Sequence, residues 1–155
     1  MALFELIDKK TVKIPLKSKK KNDCIKELIG ILKDAGKLKD TKTALADVLK
    51  REELASTGLG EGIAIPHAKT TVVDNLTIAV GLAPKGIDFD SLDDIPSTIF
   101  FLLLAPPDQV GPHLQALTEI SKLTRNKEFC NSLLHAANSA EVVELFKKES
   151  LKQVL

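Results

Sequence analysis

The chain has 155 residues and carries 22 lysines and arginines against 21 aspartates and glutamates, so its formal net charge is +1 at pH 7. This length predicts one compact domain, and a nearly neutral chain has no long-range field that would gather nucleic acid or anionic membranes. All six aromatic residues are phenylalanine, and the missing tyrosine and tryptophan platforms also disfavour a nucleic-acid partner.

The N-terminal segment Met1 to Ile7 is apolar but holds Glu5, and neither a basic region nor a small-residue cleavage site marks a secretory leader. The longest apolar run, Ile99 to Ala105, has seven residues, far fewer than the roughly 20 that a membrane-spanning helix needs. We therefore expect a cytoplasmic protein without membrane insertion. Cys24 and Cys130 lack a CxxC spacing, and we expect both to be isolated apolar thiols.

One edge strand and two helices are predicted in the first third of the chain. Apolar residues alternate from Val12 to Leu16, and Pro15 confines this strand to an edge because proline cannot donate to an inner ladder. Helical spacing predicts a first helix from about Lys20 to Ala35, ended by Gly36. A second helix, capped by Thr41, is predicted to run to about Glu53. A basic cluster before the first helix, interpreted as a solvated helix entry, comprises Lys17, Lys19, Lys20 and Lys21.

The glycine-rich segment from Ser56 to Gly62 permits tight turns but lacks the spacing of a dinucleotide fingerprint and the GKS/T ending of a P-loop. Three short apolar runs predict strands that are covered on both faces: Ile63–Ile65, Thr77–Leu82 and Thr98–Leu104. The C-terminal third predicts helices through Leu114, Leu117 and Ser121, through Phe129 and Leu133, and through Val142 and Phe146 after a cap at Ser139. This order predicts a single α/β domain over residues 1–155, with a mixed sheet and helices on both faces.

His67 is the first candidate for chemistry. It follows Pro66 directly after an apolar strand, and the proline fixes its own backbone while it holds Ile65 extended. The imidazole is therefore expected to be presented rigidly at a strand end, which suits a nucleophile in phosphoryl transfer, where positioning supplies most of the catalysis. A Pro-His pair by itself is a weak signal and favours a satisfied structural histidine.

His113 and Arg51 are the next candidates. His113 follows Gly111-Pro112, a usual helix start, where the helix dipole favours a neutral imidazole beside a bound anion. Its alternative role is to cap that helix. Arg51 and Arg125 are the only arginines, and the guanidinium fork can grip a phosphate with two bonds. The alternative for Arg51 is a cation at a helix end.

The remaining histidine and the possibility of a metal site carry less weight. His135 lies within a helical pattern beside Leu133 and Leu134, and we expect it to be structural or at the surface. His67, His113 and Glu61 could in principle converge on zinc, but HExxH and related spacings are absent. We therefore predict no metal.

The segment from Arg51 to Ala68, REELASTGLGEGIAIPHA, resembles the active-site signature of the fructose, mannitol and nitrogen-regulatory type of phosphotransferase-system enzyme IIA. Glu52 is followed at the family spacing by Leu59 and Gly60, and then by the run Ile63 to Ala68 that contains the IPH motif. Further landmarks resemble the same family along nearly the whole chain: GIDFDSLDD, TIFFLLLAPPDQ and HLQALTEIS.

The resemblance implies that His67 is phosphorylated, with His113 as a second active-site histidine and Arg51 as a cation beside the phosphate. Thr57 would offer a hydroxyl to the phosphate, and Glu61 would tune the site. No nucleotide, metal or other cofactor is implied. The phosphoryl group would come from phosphohistidine on HPr or a paralogue and would pass to a IIB partner through Nε2 of His67.

Two functions are compatible with this resemblance. In the first, the protein is a phosphocarrier that serves sugar uptake through IIB. In the second, it is a nitrogen-regulatory IIA, in which the phosphorylation state of His67 controls binding to regulatory proteins.

Overall fold

The computed structural model describes residues 3–154. The strands are β1 (Val12–Lys13), β2 (Gly58–Gly60), β3 (Ile63–Ala64), β4 (His67–Lys69), β5 (Thr77–Ile87) and β6 (Ser97–Ala105). The helices are α1 (Lys21–Asp34), α2 (Thr41–Leu54), α3 (Val110–Thr124), α4 (Lys127–Leu134) and α5 (Ser139–Val154). Two short 3-10 helices, Leu3–Leu6 and Lys9–Thr11, precede β1. Three residues of the predicted domain lie outside the described residues: Met1, Ala2 and Leu155. The first two also belong to the segment that was assessed as a leader.

One mixed sheet contains the six strands. Their spatial order is β1-β5-β6-β3-β2, and β4 also pairs with β6. The β1–β5, β3–β6 and β4–β6 pairs are parallel, whereas β5–β6 and β2–β3 are antiparallel. Helices α1 and α2 pack on one face and α3 to α5 on the other, so β5 and β6 are apolar on both faces. The predicted class, an α/β domain with a mixed sheet between helices, is confirmed.

Several local predictions from the first third of the chain are also confirmed. Gly36 ends α1 in a left-handed conformation with φ 73°, and the Lys37 N–H reaches back to the Leu32 carbonyl at 2.9 Å. The strand β1 lies at an edge of the sheet. Its ladder is shorter than predicted, although the Leu16 N–H still donates to the Leu82 carbonyl at 2.8 Å.

Both predicted helix caps are wrong by one residue. Asp40 caps α2, since its carboxylate accepts from the backbone N–H groups of Lys42 and Thr43, and Thr41 is the first helical residue. Asn138 accepts from the Glu141 N–H at the start of α5, while the Ser139 hydroxyl donates to the Val12 carbonyl at 2.9 Å. Asp and Asn compete well with Thr and Ser for these positions, and Ser139 instead ties α5 to β1.

Two further predictions are corrected where the sheet approaches His67. The glycine-rich segment forms the strand β2, and the strand predicted over Ile63–Ile65 ends at Ala64. It resumes as β4, so His67 begins a strand segment instead of following the end of one. β3 and β4 pair with β6 in the same register, and together they form one strand interrupted at Ile65 and Pro66.

Candidate active site

The strand interruption holds His67 from both sides. Ile65 donates its N–H to the Thr57 carbonyl at 2.9 Å, and the Pro66 carbonyl accepts from the Leu103 N–H of β6 at 3.0 Å. Proline has no N–H of its own, so these bonds and the ring fix the short segment. The two residues before His67 are thus hydrogen-bonded to β6 on one side and to Thr57, just before β2, on the other.

The ring of His67 has a defined hydrogen-bond partner. Its Nδ1 lies 2.7 Å from the Ile65 carbonyl oxygen. A carbonyl oxygen only accepts, so Nδ1 carries the proton in the neutral ring and the lone pair is on Nε2. The sequence could not identify this acceptor. The side chain is half-buried, and its chemistry is that of a neutral imidazole with a free base at Nε2.

His113 lies against His67. The two ring centroids are 5.4 Å apart, and the ring planes meet at 77°. His113 is the fourth residue of α3 and is 6% exposed. Its Nε2 is the one buried side-chain nitrogen or oxygen without a hydrogen-bond partner in the part of the chain that the structure describes. A buried polar atom of this kind is typical of a functional site, and no side-chain hydrogen bond caps the start of α3.

Both histidines are shifted toward the neutral state. Burial lowers the pKa of His67; its hydrogen bond to Ile65 and the charge of Glu52 oppose this shift, and Arg51 adds to it. Burial also lowers the pKa of His113, with smaller contributions from His67 and Lys69. The lowered pKa of His113 agrees with the neutral imidazole expected from the sequence. Its main cause is burial, whereas the sequence pointed to the helix end.

Arg51 occupies the last turn of α2. Its Nη1 donates to the Ala55 carbonyl at 3.0 Å, which is the helix-end role that the sequence left open. The same charge lowers the pKa of His67, so it acts on the histidine site as well. A guanidinium has five N–H donors, and the bond to Ala55 leaves most of them for a further acceptor.

Thr57 and Glu61 each make a contact with a charged residue of the chain. The hydroxyl of buried Thr57 donates to Glu52. Glu61 lies in the β2–β3 turn and is paired with Lys127 of α4 at 3.0 Å. Within residues 3–154, no hydrogen bond or ion pair joins Glu61 to either histidine.

Two charged residues of this region are largely shielded from solvent in a way that the sequence analysis did not predict, although Glu52 belongs to the signature quoted there. Glu52 is 8% exposed and follows Ala44 and Val48 on the buried stripe of α2. An acid at that position of an apolar stripe is the signal that could have revealed it. Lys21 was expected to be solvated, yet its side chain is 18% exposed and its Nζ lies 3.0 Å from a Glu52 carboxylate oxygen.

The other candidate groups lie away from the histidine pair. Among the described residues, no three His, Cys, Asp or Glu side chains are placed to hold a metal ion. Burial raises the pKa of the Cys24 thiol to about 12, and the Cys130 thiol donates to the Thr124 carbonyl. His135 is exposed, and its Nδ1 bonds the Asn131 carbonyl at 2.8 Å, in agreement with a surface position.

Exposed apolar side chains are found close in sequence to the site residues. Leu54 is three residues beyond Arg51 and is 80% exposed, and Leu114, next to His113, is 63% exposed. Leu59 of β2 and Val110 in the first turn of α3 are also exposed. No helix between residues 3 and 154 is both long enough and apolar enough to cross a bilayer.

Comparison with known proteins identifies one family. Residues 5–149 match the family described as "Phosphoenolpyruvate-dependent sugar phosphotransferase system, EIIA 2". The fructose-specific EIIABC component of the PTS system of Bacillus subtilis is 38% identical over 148 residues, which are 96% of this chain but 23% of that protein. The fructose-specific EIIA component of Haloferax volcanii is 37% identical over 87% of this chain and 82% of its own length.

A nitrogen regulatory protein is also related. The one from Bradyrhizobium diazoefficiens is 31% identical over 92% of both chains. Among solved structures, nitrogen regulatory protein IIA-Ntr of Neisseria meningitidis superposes with a TM-score of 0.85 at 26% identity, covering 92% of this chain and 97% of that one. The IIA component in the Escherichia coli complex of enzyme IIAMtl with phosphorylated IIBMtl superposes with a TM-score of 0.78 at 22% identity, covering 92% and 97%.

Proposed function

Since this chain belongs to the EIIA type 2 family of the phosphoenolpyruvate-dependent sugar phosphotransferase system, we propose that it accepts a phosphoryl group on Nε2 of His67 and passes it on. An EIIA component is a phosphotransfer relay protein, and the proposal concerns the residue and the partners. The observation that supports it best is the Nδ1 bond to the Ile65 carbonyl, which leaves a lone pair on Nε2 beside an unpartnered, buried His113.

The proposed transfer needs no proton movement at His67. The P–N bond of a donor phosphohistidine breaks as the P–Nε2 bond forms, and the donor histidine leaves with its lone pair restored. The His67 ring gains positive charge during the attack, which the Ile65 carbonyl at Nδ1 stabilises. The reverse sequence delivers the group to a nucleophile on the acceptor.

His113 and Arg51 are proposed to receive the charge of the phosphoryl group. In the tautomer that is protonated at Nε2, His113 can donate to a phosphoryl oxygen, and this bond would satisfy its unpartnered atom. Arg51 contributes a positive charge that already acts on His67. Phosphoryl transfer through a loose transition state depends mostly on such alignment and charge compensation.

The proposed donor is phospho-HPr or a paralogue, and the proposed acceptor is a IIB domain. The exposed apolar residues Leu54, Leu59, Val110 and Leu114 support a docking surface next to the site residues. The complex of IIAMtl with phosphorylated IIBMtl is a precedent for the acceptor. Sharing a compartment with HPr agrees with the cytoplasmic location that the sequence predicts.

Radiolabelled phosphoenolpyruvate, enzyme I and HPr test the proposal directly. We expect an acid-labile, base-stable label on the wild-type protein and on the His135→Ala control, and no label on His67→Ala. A label that persists on His67→Ala would contradict the assignment of His67.

A regulatory function is the second candidate, because relatives of both kinds match over most of the chain. The assay that separates the two functions adds purified fructose-specific IIB to the phosphorylated protein. Rapid transfer to IIB would favour sugar uptake. Retention of the label, together with partners whose affinity depends on phosphorylation, would favour regulation.

A further inference from the structure

Glu52 is a buried acid whose partners come from two other parts of the chain. Its carboxylate accepts from the Thr57 N–H at 3.2 and 3.3 Å and from the Thr57 hydroxyl. Lys21 of α1 pairs with it at 3.0 Å, and the Lys21 Nζ also lies 4.8 Å from the centroid of the Phe89 ring. Because a buried charge is costly unless it is paired and hydrogen-bonded, this set fixes Thr57 relative to α1 and α2.

A series of backbone contacts connects this set to His67. The Thr57 carbonyl accepts from the Ile65 N–H at 2.9 Å, and the Ile65 carbonyl accepts from His67 Nδ1 at 2.7 Å. The Ile65 N–H faces Thr57 and the next carbonyl, that of Pro66, faces β6; because backbone groups alternate along a strand, the Ile65 carbonyl lies on the side away from β6 and is not held by that ladder. The position of that carbonyl therefore depends on Thr57.

We propose that Glu52, paired with Lys21, is a positioning residue that holds Thr57 and Ile65 so that His67 stays in the tautomer with the proton on Nδ1. Its importance for transfer rests on the proposed function, whereas the tautomer is a property of the unphosphorylated protein. Glu52 does not touch the reacting atoms; it acts through two intervening residues.

The charge of Glu52 also acts on the ring through space. It raises the pKa of His67, against the larger effect of burial and the effect of Arg51. No such effect of Glu52 accompanies His113, whose pKa responds to burial, His67 and Lys69. Glu52 therefore reaches His113 only through His67.

The test compares Glu52→Gln with Glu149→Gln. Glu149 is equally buried, at 8% exposure, but it bonds Asn126 and has no contact with His67. Thr57→Val and Thr57→Ser form a second pair, in which valine removes the hydroxyl and serine keeps it. Long-range proton–nitrogen spectra of the unphosphorylated proteins report the tautomer and pKa of each histidine.

We expect one Nδ1–H form of His67 in the wild type, in Glu149→Gln and in Thr57→Ser. Glu52→Gln and Thr57→Val should each show a mixture that includes the Nε2–H form, and Glu52→Gln should also lower the His67 pKa. The transfer rate should fall by up to about 10²-fold, as expected for a displaced reacting group.

A pure Nδ1–H form in Glu52→Gln or in Thr57→Val would overturn the proposal, even if the rate fell. If Glu52→Gln does not fold, Thr57→Val decides by the same criterion. If the wild-type protein takes no label but the two variants show the tautomer changes, the proposed function is contradicted. The positioning role of Glu52 is then still supported.

Discussion

The two flanks of β6 differ in continuity. On one flank, β5 pairs without a gap from Thr77 to Leu82, opposite Leu104 to Ile99 of β6, and its ladder shifts register only beyond that stretch, before Ile87. On the other flank, β3 and β4 keep one register but leave Ile65 and Pro66 between them. The continuous flank provides a rigid support, and on the interrupted flank the Ile65 carbonyl, which lies on the side away from β6, bonds the His67 ring. This difference separates residues that stabilise the fold from residues that serve the site.

The largest effect on function is expected from His113→Ala, because the His113 ring packs against His67 of the interrupted flank. Removing one donor to a developing charge typically costs about 10²–10³ in rate. Rapid-quench measurements of phosphoryl uptake should show this loss, with His135→Ala as the control. Uptake within a few-fold of the wild-type rate would indicate that His113 has only a structural role.

Leu82→Ala tests the continuous flank. Leu82 is fully buried on β5 opposite Ile99, and such truncations cost about 2–5 kcal/mol of the free energy of unfolding. Urea denaturation should show this cost, while the uptake rate per folded molecule should stay near that of the wild type. Leu92→Ala, at a side chain that is 76% exposed, is the matched control. A large loss of uptake rate in folded Leu82→Ala protein would contradict the view that the continuous flank serves stability and not transfer.

Arg51→Lys should reduce phosphoryl uptake although the charge is kept. An ammonium cannot reproduce the planar fork, and the loss of one charge-assisted hydrogen bond corresponds to about tenfold or more in rate. Stability should change little, because the lysine can still reach the helix-end carbonyls. Normal uptake by Arg51→Lys would contradict a role in phosphate binding and would indicate that Arg51 only bonds the Ala55 carbonyl at the helix end.

The smallest effect concerns the pH dependence of stability. The folded pKa of His67 lies below its ordinary value of 6.5, so the unfolded chain binds more protons in the window between the two values. The free energy of unfolding therefore rises with pH through this window, and the contribution of His67 is complete above it. Urea titrations at several pH values should show a shallower slope for His67→Ala than for the wild type. An unchanged slope would contradict the shift.

The resemblance pointed to His67, His113 and Arg51, and local patterns predicted the helices and the central strands. The sequence could not reveal β2 and β4, because three-residue strands have too few side chains to show alternation and are formed by pairing to distant partners. The same limit applied to Lys21, whose basic neighbours indicated solvent while its partner Glu52 is on another helix. The sequence also could not show that the Thr57 hydroxyl donates to the same buried acid.

The most direct test of the account is the nitrogen to which phosphorus is attached. Phosphorus and long-range nitrogen spectra of the phosphorylated, isotope-labelled protein identify both the residue and the ring atom. We predict a single phosphohistidine at His67, bonded through Nε2, with the proton retained on Nδ1. Phosphorus on Nδ1 of His67, or on another residue, would contradict the claim that the Ile65 carbonyl at the strand interruption determines which nitrogen reacts.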